Sequence, residues 1–341
     1  MQKESFMKAI QGRGKRMRTT MADNRNPVPD GQNGPTSTRS DGNEQWVILN
    51  PTSGTADHVD DVRQSADERN YTIQETTHEE HAVQLAQDAA ANDVDRLAVA
   101  GGDGTLHEVV RGLVEASALG KVTLGVIPTG TENIFATAIG VASVEEGFDL
   151  LDHGERRRID IGFAGGEPFI VSCIAGLPAE VSVAASSDLK ERFGSLAFVV
   201  ASLQELTEFE ELHIDLTAIS NGEETTWSGE ALCVLVGNVL RFVNRGGQAN
   251  VEDGLFDVVL IEQMPASDIL AEATAQRVFG RDTEHVRHVQ ASQLEIRERG
   301  SDSITFSLDG ELNTHDELVL YTDPQSLTVC VGSTYEDMNS D

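Results

Sequence analysis

Four times between Trp46 and Ile139 a short apolar run gives way to a turn and then to a stretch with helical periodicity. The runs WVILN, YTIQET, DRLAVA and VTLGVIP read as strands, and residues 57–69, 79–92, 106–118 and 131–139 read as helices. Strands joined through helices are parallel, because an antiparallel neighbour needs only a hairpin. The alternation therefore commits this segment to a mainly parallel α/β sheet covered on both faces. Ligands of such sheets sit beyond the carboxyl ends of the strands.

After about Asp152 the rhythm changes. RRRIDIGFAGGEPFIVSCIAG reads as a strand, a glycine turn and a second strand, and a helical stretch is expected at residues 186–208. LHIDLTAIS, TTWSGEALCVLVGN, LFDVVLIE, QLEIRE, SITFSLDGE, ELVLYT and SLTVCVG then read as closely spaced strands. This predicts a mainly antiparallel second domain, a β-sandwich or open barrel. The expected division is a tail at residues 1–43, an α/β domain at 44–152, a β-rich domain at 153–332 and a tail at 333–341. The last strands are free to return to the first domain. Two domains suit a chain of 341 residues.

The net charge of −32 excludes nucleic-acid binding, which needs a basic surface. Only five of 25 basic residues are lysine. Such a surface suits a salt-accumulating cytoplasm, as in a halophilic archaeon, where molar salt cuts the Debye length to about 3 Å and removes most self-repulsion. Residues 1–20 run against this trend, with six bases and one acid. They read either as an extension preceding a start at Met21 or as a basic membrane-surface segment. No 18-residue apolar window marks a membrane span. Cys173, Cys233 and Cys330 read as free buried thiols in a reducing compartment. His78 and His81, at a helix start, and His285 and His288, in a polar helix, read as solvated side chains.

Three polar turns stand out. NPTSG (residues 50–54) closes the first strand, GGDGT (101–105) the third and PTGTENIFA (128–136) the fourth. Glycines allow close backbone approach, and the following helix can point its amides at a phosphate. A carboxylate among phosphates requires a metal ion or a departing proton beside it. Asp103 therefore fits Mg²⁺ positioning or proton acceptance, with helix capping as its ordinary alternative.

In this order and spacing the three turns resemble the catalytic domain of the diacylglycerol and sphingosine kinases, the bacterial-type lipid kinases. ERRRIDIG, RFGSLAFVVASLQEL, VEDGLFDVVLIE and SLDGE extend the resemblance from Trp46 to Val331. It implies that Asn50, Ser53, Gly54 and Thr76 or Thr77 line the nucleotide. It implies that Gly101, Gly102, Gly104 and Thr105 hold the ATP phosphates beside Asp103, with Glu108 orienting the loop. Gly130, Thr131 and Asn133 would complete the nucleotide edge. Asp309 and Glu311 would return acids to the inter-domain cleft as catalytic groups beside Asp103, and Asp253 with backbone near Leu255 and Asn250 would form a structural Mg²⁺ site. For the Asp253-Gly254 and Asp309-Gly310 pairs a plain hairpin turn is the alternative. The chain departs from the family at residues 133–137 and 176–179, on the acceptor side.

The resemblance implies an ATP- and Mg²⁺-dependent kinase of a lipid hydroxyl, working from the cytoplasm at the inner membrane face and compatible with a homodimer. The acceptor is a diacylglycerol, an archaeal ether diol, a sphingoid base or a polyprenol. NAD kinase and a non-catalytic nucleotide- or lipid-binding protein are the alternatives. Asp103 sits among phosphate-binding glycines, so the base is expected to be Glu311, entering from the second domain.

Overall fold

Burial on both faces gives the parallel strands their continuous apolar runs. β1 (Gln45–Leu49), β3 (Arg96–Gly101) and β4 (Thr123–Pro128) are buried along nearly their whole length, while edge strand β2 (Thr72–Glu75) is half-exposed. They pair in parallel in the order β2-β1-β3-β4. Helices α1 (Val59–Glu68) and α5 (Val144–His153) cover one face, where Val62, Ala66, Phe148 and Leu151 pack on Leu49 and Ile127. Helices α2 (His81–Ala91), α3 (Asp103–Glu115) and α4 (Ile134–Ala138) cover the other, where Leu85, Leu113 and Phe135 pack on Ile48, Val99 and Leu124. These elements belong to a computed structural model that describes residues 44–176, 212–241, 247–264, 285–300 and 303–335, all within one unit.

The remaining strands are β5 (Glu155–Ala164), β6 (Glu167–Phe169), β7 (Ser172–Ala175), β8 (Leu212–Ser220), β9 (Glu223–Gly237), β10 (Leu240–Arg241) and β11 (Gly247–Gln248). They continue with β12 (Phe256–Glu262), β13 (Val286–Ala291), β14 (Gln293–Glu298), β15 (Ile304–Leu308), β16 (Glu311–His315) and β17 (Glu317–Val331). Their pairings with one another are antiparallel. β9 changes partners along its length. Its exposed first half pairs with β8, and its buried second half lies between β7 and β12. A strand shared in this way folds the sheet over a core that includes Phe169, Phe256, Phe306, Leu294 and Leu320.

β17 joins the two halves. Residues 317–321 run antiparallel to β14, whereas Thr328 and Val329 lie parallel to Thr123 and Leu124 of β4. β5 accompanies it across both halves, with a register shift between Asp323 and Leu327. The two strands expected in ELVLYT and SLTVCVG are therefore one strand, bent at the bulge.

Two other expectations change. The polar helix expected around His285 and His288 is strand β13, because β12 offers a ladder and Val286 and Ala291 are buried against the sheet. Helix α5 lies beyond the four expected strand–helix units, and its start is marked. Ser143 accepts the Glu146 N–H at 3.2 Å and Glu146 accepts the Ala142 N–H at 2.8 Å. The tail before residue 44, the helical stretch at 186–208, residues 177–179 and most of the tail after 332 lie outside the described residues.

Candidate active site

The three turns meet side by side at the carboxyl ends of β1, β3 and β4. Asn50 donates its amide to the Thr105 hydroxyl at 2.9 Å, and its Oδ1 accepts the Thr52 N–H at 3.0 Å. The Ser53 hydroxyl lies 2.9 Å from that of Thr129. Gly54 has φ +55°, and a Cβ there would lie 2.5 Å from the Thr129 carbonyl oxygen. A Cβ on Gly130 would lie 2.4 Å from the Gly102 Cα, so the second and third turns touch backbone to backbone. A Cβ on Gly101 would strike the Thr105 side chain at 2.6 Å, whereas one on Gly104 would meet nothing within 4 Å. Asn133, in the left-handed region, ties its turn by accepting the Gly130 N–H at 2.9 Å and donating to the Gly130 carbonyl at 2.8 Å. Thr131 is exposed, and Thr76, at the end of β2, donates its N–H to the Leu49 carbonyl at 2.9 Å.

Asp103 opens helix α3 but does not cap it. The N-cap is Gly102, and the two Asp103 oxygens accept the Ile134 and Phe135 N–H groups of α4, each at 2.9 Å. Burial raises its pKa above the ordinary range, the two hydrogen bonds pull it back, and the charges of Asp309 and Glu132 push it up again. Each oxygen keeps a lone pair. One carboxylate beside open backbone suits Mg²⁺ carried by nucleotide phosphates, which supply the ion's other oxygens.

The second half contributes a hairpin. β15 and β16 are joined by Asp309 (φ +49°) and Gly310 (φ +101°), the two-residue turn that an Asp-Gly pair favours. The Asp309 carboxylate is fully buried and accepts N–H groups from Ile170, Val171 and Ser172 at 2.8, 2.8 and 2.9 Å. It also meets His107 Nδ1, on α3, at 3.0 Å. With four partners Asp309 is an organising group. Glu311, two residues on, keeps half of its side chain exposed and lies 3.9 Å from His107 Nε2. The hairpin thus sets a solvated carboxylate beside the helix that begins at the glycine loop.

The expected metal residues sit elsewhere, in turns. Asp253 accepts the Leu255 N–H at 2.9 Å and Asn250 accepts the Glu252 N–H at 3.0 Å. Nearby Asp160, buried on β5, accepts the Gly254 N–H at 2.6 Å and the Gln325 N–H at 2.7 Å. Among the described residues no three His, Cys, Asp or Glu side chains cluster as a metal site. Glu108 accepts the Ala82 N–H at 3.2 Å and so serves the start of α2.

Sequence reasoning missed His107 and Asp160. His107 stands four residues after Asp103, one helical turn on the same face, which is the signal that could have found it. Asp160 fits the alternation of RRRIDIG, so its burial leaves no local signal.

Comparison with known proteins covers both halves. Residues 44–164 match the diacylglycerol kinase catalytic domain, and residues 171–331 match the YegS C-terminal NAD kinase beta sandwich-like domain. The chain is 29% identical over 276 residues to a protein of Bacillus subtilis named "Diacylglycerol kinase", covering 78% of this chain and 88% of that one. It is 31% identical over 253 residues to the "Probable lipid kinase YegS-like" protein of Pseudomonas fluorescens, covering 73% and 81%. The crystal structure of a diacylglycerol kinase from Bacillus anthracis str. Sterne has the same fold, with TM-score 0.66, 22% identity and coverage of 87% and 99%.

Proposed function

Because the chain belongs to the diacylglycerol kinase-like lipid kinase family, we propose that it transfers the γ-phosphoryl group of ATP to the hydroxyl of a lipid such as diacylglycerol or its ether counterpart. One observation carries the division of roles. The β15–β16 hairpin brings an exposed carboxylate, Glu311, beside α3, the helix that starts in the glycine loop. Asn50, Ser53, Gly54, Thr76, Gly130, Thr131 and Asn133 form the nucleotide edge. The turn of Gly101, Gly102, Gly104 and Thr105 receives the phosphates with its amides, whose fixed dipoles favour charge developing on the transferred group.

Asp103 is the carboxylate that would face Mg²⁺, which neutralises charge on the β- and γ-phosphates when bound. Glu311 accepts the hydroxyl proton as the acceptor oxygen attacks phosphorus and the bridging oxygen leaves on ADP. Asp309 holds the hairpin in place. No described helix is long and apolar enough to cross a membrane. Two large apolar side chains are exposed among the described residues, Leu312 and Tyr321, and Leu312 adjoins Glu311. High salt screens the repulsion between this acidic protein and anionic lipid.

The test is labelled ATP with lipid extracts and purified diacylglycerol in molar KCl. Glu311→Gln should lower kcat by about 10²–10⁴-fold with little change in nucleotide KM. Asp103→Asn should raise the KM for Mg·ATP as well as lower kcat. Turnover with NAD, or none with any acceptor, overturns the proposal. Near-normal kcat in Glu311→Gln with a dead Asp103→Asn that still binds ATP reverses the two roles.

A further inference from the structure

We infer that His107 is a positioning residue for phosphoryl transfer, fixed by Asp309 through Nδ1 and taking up at Nε2, by way of Glu311, the proton that leaves the acceptor hydroxyl. This rests on the reading of Glu311 as the base.

The argument starts from Asp309. An ionised carboxylate only accepts hydrogen bonds. Three backbone N–H groups already point at it, and His107 Nδ1 lies 3.0 Å away. Nδ1 therefore carries the hydrogen, and the second nitrogen is left to face Glu311, 3.9 Å away. The imidazole is 5% exposed and joins segments that are 202 residues apart. An apolar side chain here would leave the buried Asp309 carboxylate without its donor from α3. A histidine here places one buried carboxylate behind the ring and one solvated carboxylate in front of it. A buried carboxylate that fixes the tautomer of the ring behind a reacting group is the logic of acid–histidine dyads.

The charges facing the ring are Asp309 and Glu311 from the hairpin and Arg111 from its own helix, itself paired with Glu80 at 2.8 Å. Burial pulls the His107 pKa down, but the hydrogen bond and charge of Asp309 and the charge of Glu311 outweigh it, so the value lies above 6.5. Neutral His107 is thus a good acceptor. As the new O–P bond forms and the bond to ADP breaks, the hydroxyl proton passes to Glu311. From there it passes to Nε2, leaving an imidazolium between two carboxylates and Glu311 ionised again. Solvent later removes the proton.

The step needs neutral His107. kcat should therefore fall as pH falls through the His107 pKa, which is raised from the ordinary histidine value. His107→Asn keeps an amide donor for Asp309 but has no second nitrogen. It should lower the plateau kcat roughly tenfold and remove the acid limb that His107 sets, with KM for Mg·ATP unchanged. Nitrogen-detected NMR of the full chain supplies a readout that no variant at residue 107 can spoil by misfolding. The wild-type ring should show the Nδ1–H tautomer, and Glu311→Gln should lower its pKa. A wild-type acid limb in active His107→Asn overturns this inference alone, as does an Nε2–H tautomer or a His107 pKa indifferent to Glu311→Gln. Wild-type protein inert with every acceptor overturns the kinase reading and this inference with it.

Discussion

Where the three glycine-containing turns meet, the ties that join them run from one turn to another at the same sheet edge. Asn50 reaches Thr105, Ser53 reaches Thr129, and Gly102 lies against Gly130. At the acid hairpin, Asp309 gathers amides from the segment before β7 and a ring from α3, residues 137 to 202 positions away. The first region is held by many small ties, whereas in the second, beside the β7–β15 backbone ladder, one carboxylate gathers the side-chain hydrogen bonds. Damage to a single side chain should accordingly be spread at the edge and concentrated at the hairpin.

Asp309→Ala is the strongest way to break that contrast. It leaves three amides and an imidazole without their acceptor and should cost about 3–5 kcal/mol of stability. Chemical denaturation in molar KCl measures this. A loss under about 1 kcal/mol would show that water or neighbouring carbonyls replace the carboxylate, and that the hairpin has other ties.

Asp160 sharpens the comparison, because it also holds two backbone amides yet faces other acids instead of a histidine. Burial raises its pKa, the Gln325 and Gly254 N–H groups lower it, and Asp253 and Glu252 raise it again, to about 6. The folded value exceeds the ordinary aspartate value of 3.8, so the stabilisation is fully present below 3.8 and is lost as pH rises through about 6. The rise corresponds to about 3 kcal/mol. Asp160→Asn should remove that part of the stability–pH curve. Equal slopes in the two proteins between about pH 4 and 7 would refute it.

The contrast also explains how far the sequence can be read. Apolar periodicity and glycine turns are local, so the parallel strands, the three turns and the Asp309-Gly310 hairpin could be seen in advance. The capping signal at Ser143 and Glu146 is equally local and marks the start of α5. Partners across the fold leave no such trace. Nothing around Asp103 shows that it holds the amides of α4, and nothing around Glu108 shows that it serves α2. His288 became a strand residue only because β12 lies beside it. His107 and Asp309 acquire meaning only together, from segments that meet late in the chain.

Gly104 tests the edge at its most exposed point, with the smallest expected effect on stability. Gly130 is required by packing, because its Cβ would strike Gly102. Gly104 is not, because it is exposed and its Cβ would meet nothing within 4 Å. It sits in the first turn of α3, where alanine is the better helix former. Gly104→Ala should therefore stabilise the fold by about 0.5–1 kcal/mol. What argues for glycine is the ligand, since a phosphate drawn to the amides of residues 103–105 would meet the added methyl. The same variant should raise the KM for ATP about tenfold, as for about 1.4 kcal/mol of lost binding. A higher melting temperature together with weaker nucleotide binding would separate the two demands on one residue. A higher melting temperature with unchanged KM would move the phosphates away from Gly104, toward Gly102 and Gly130.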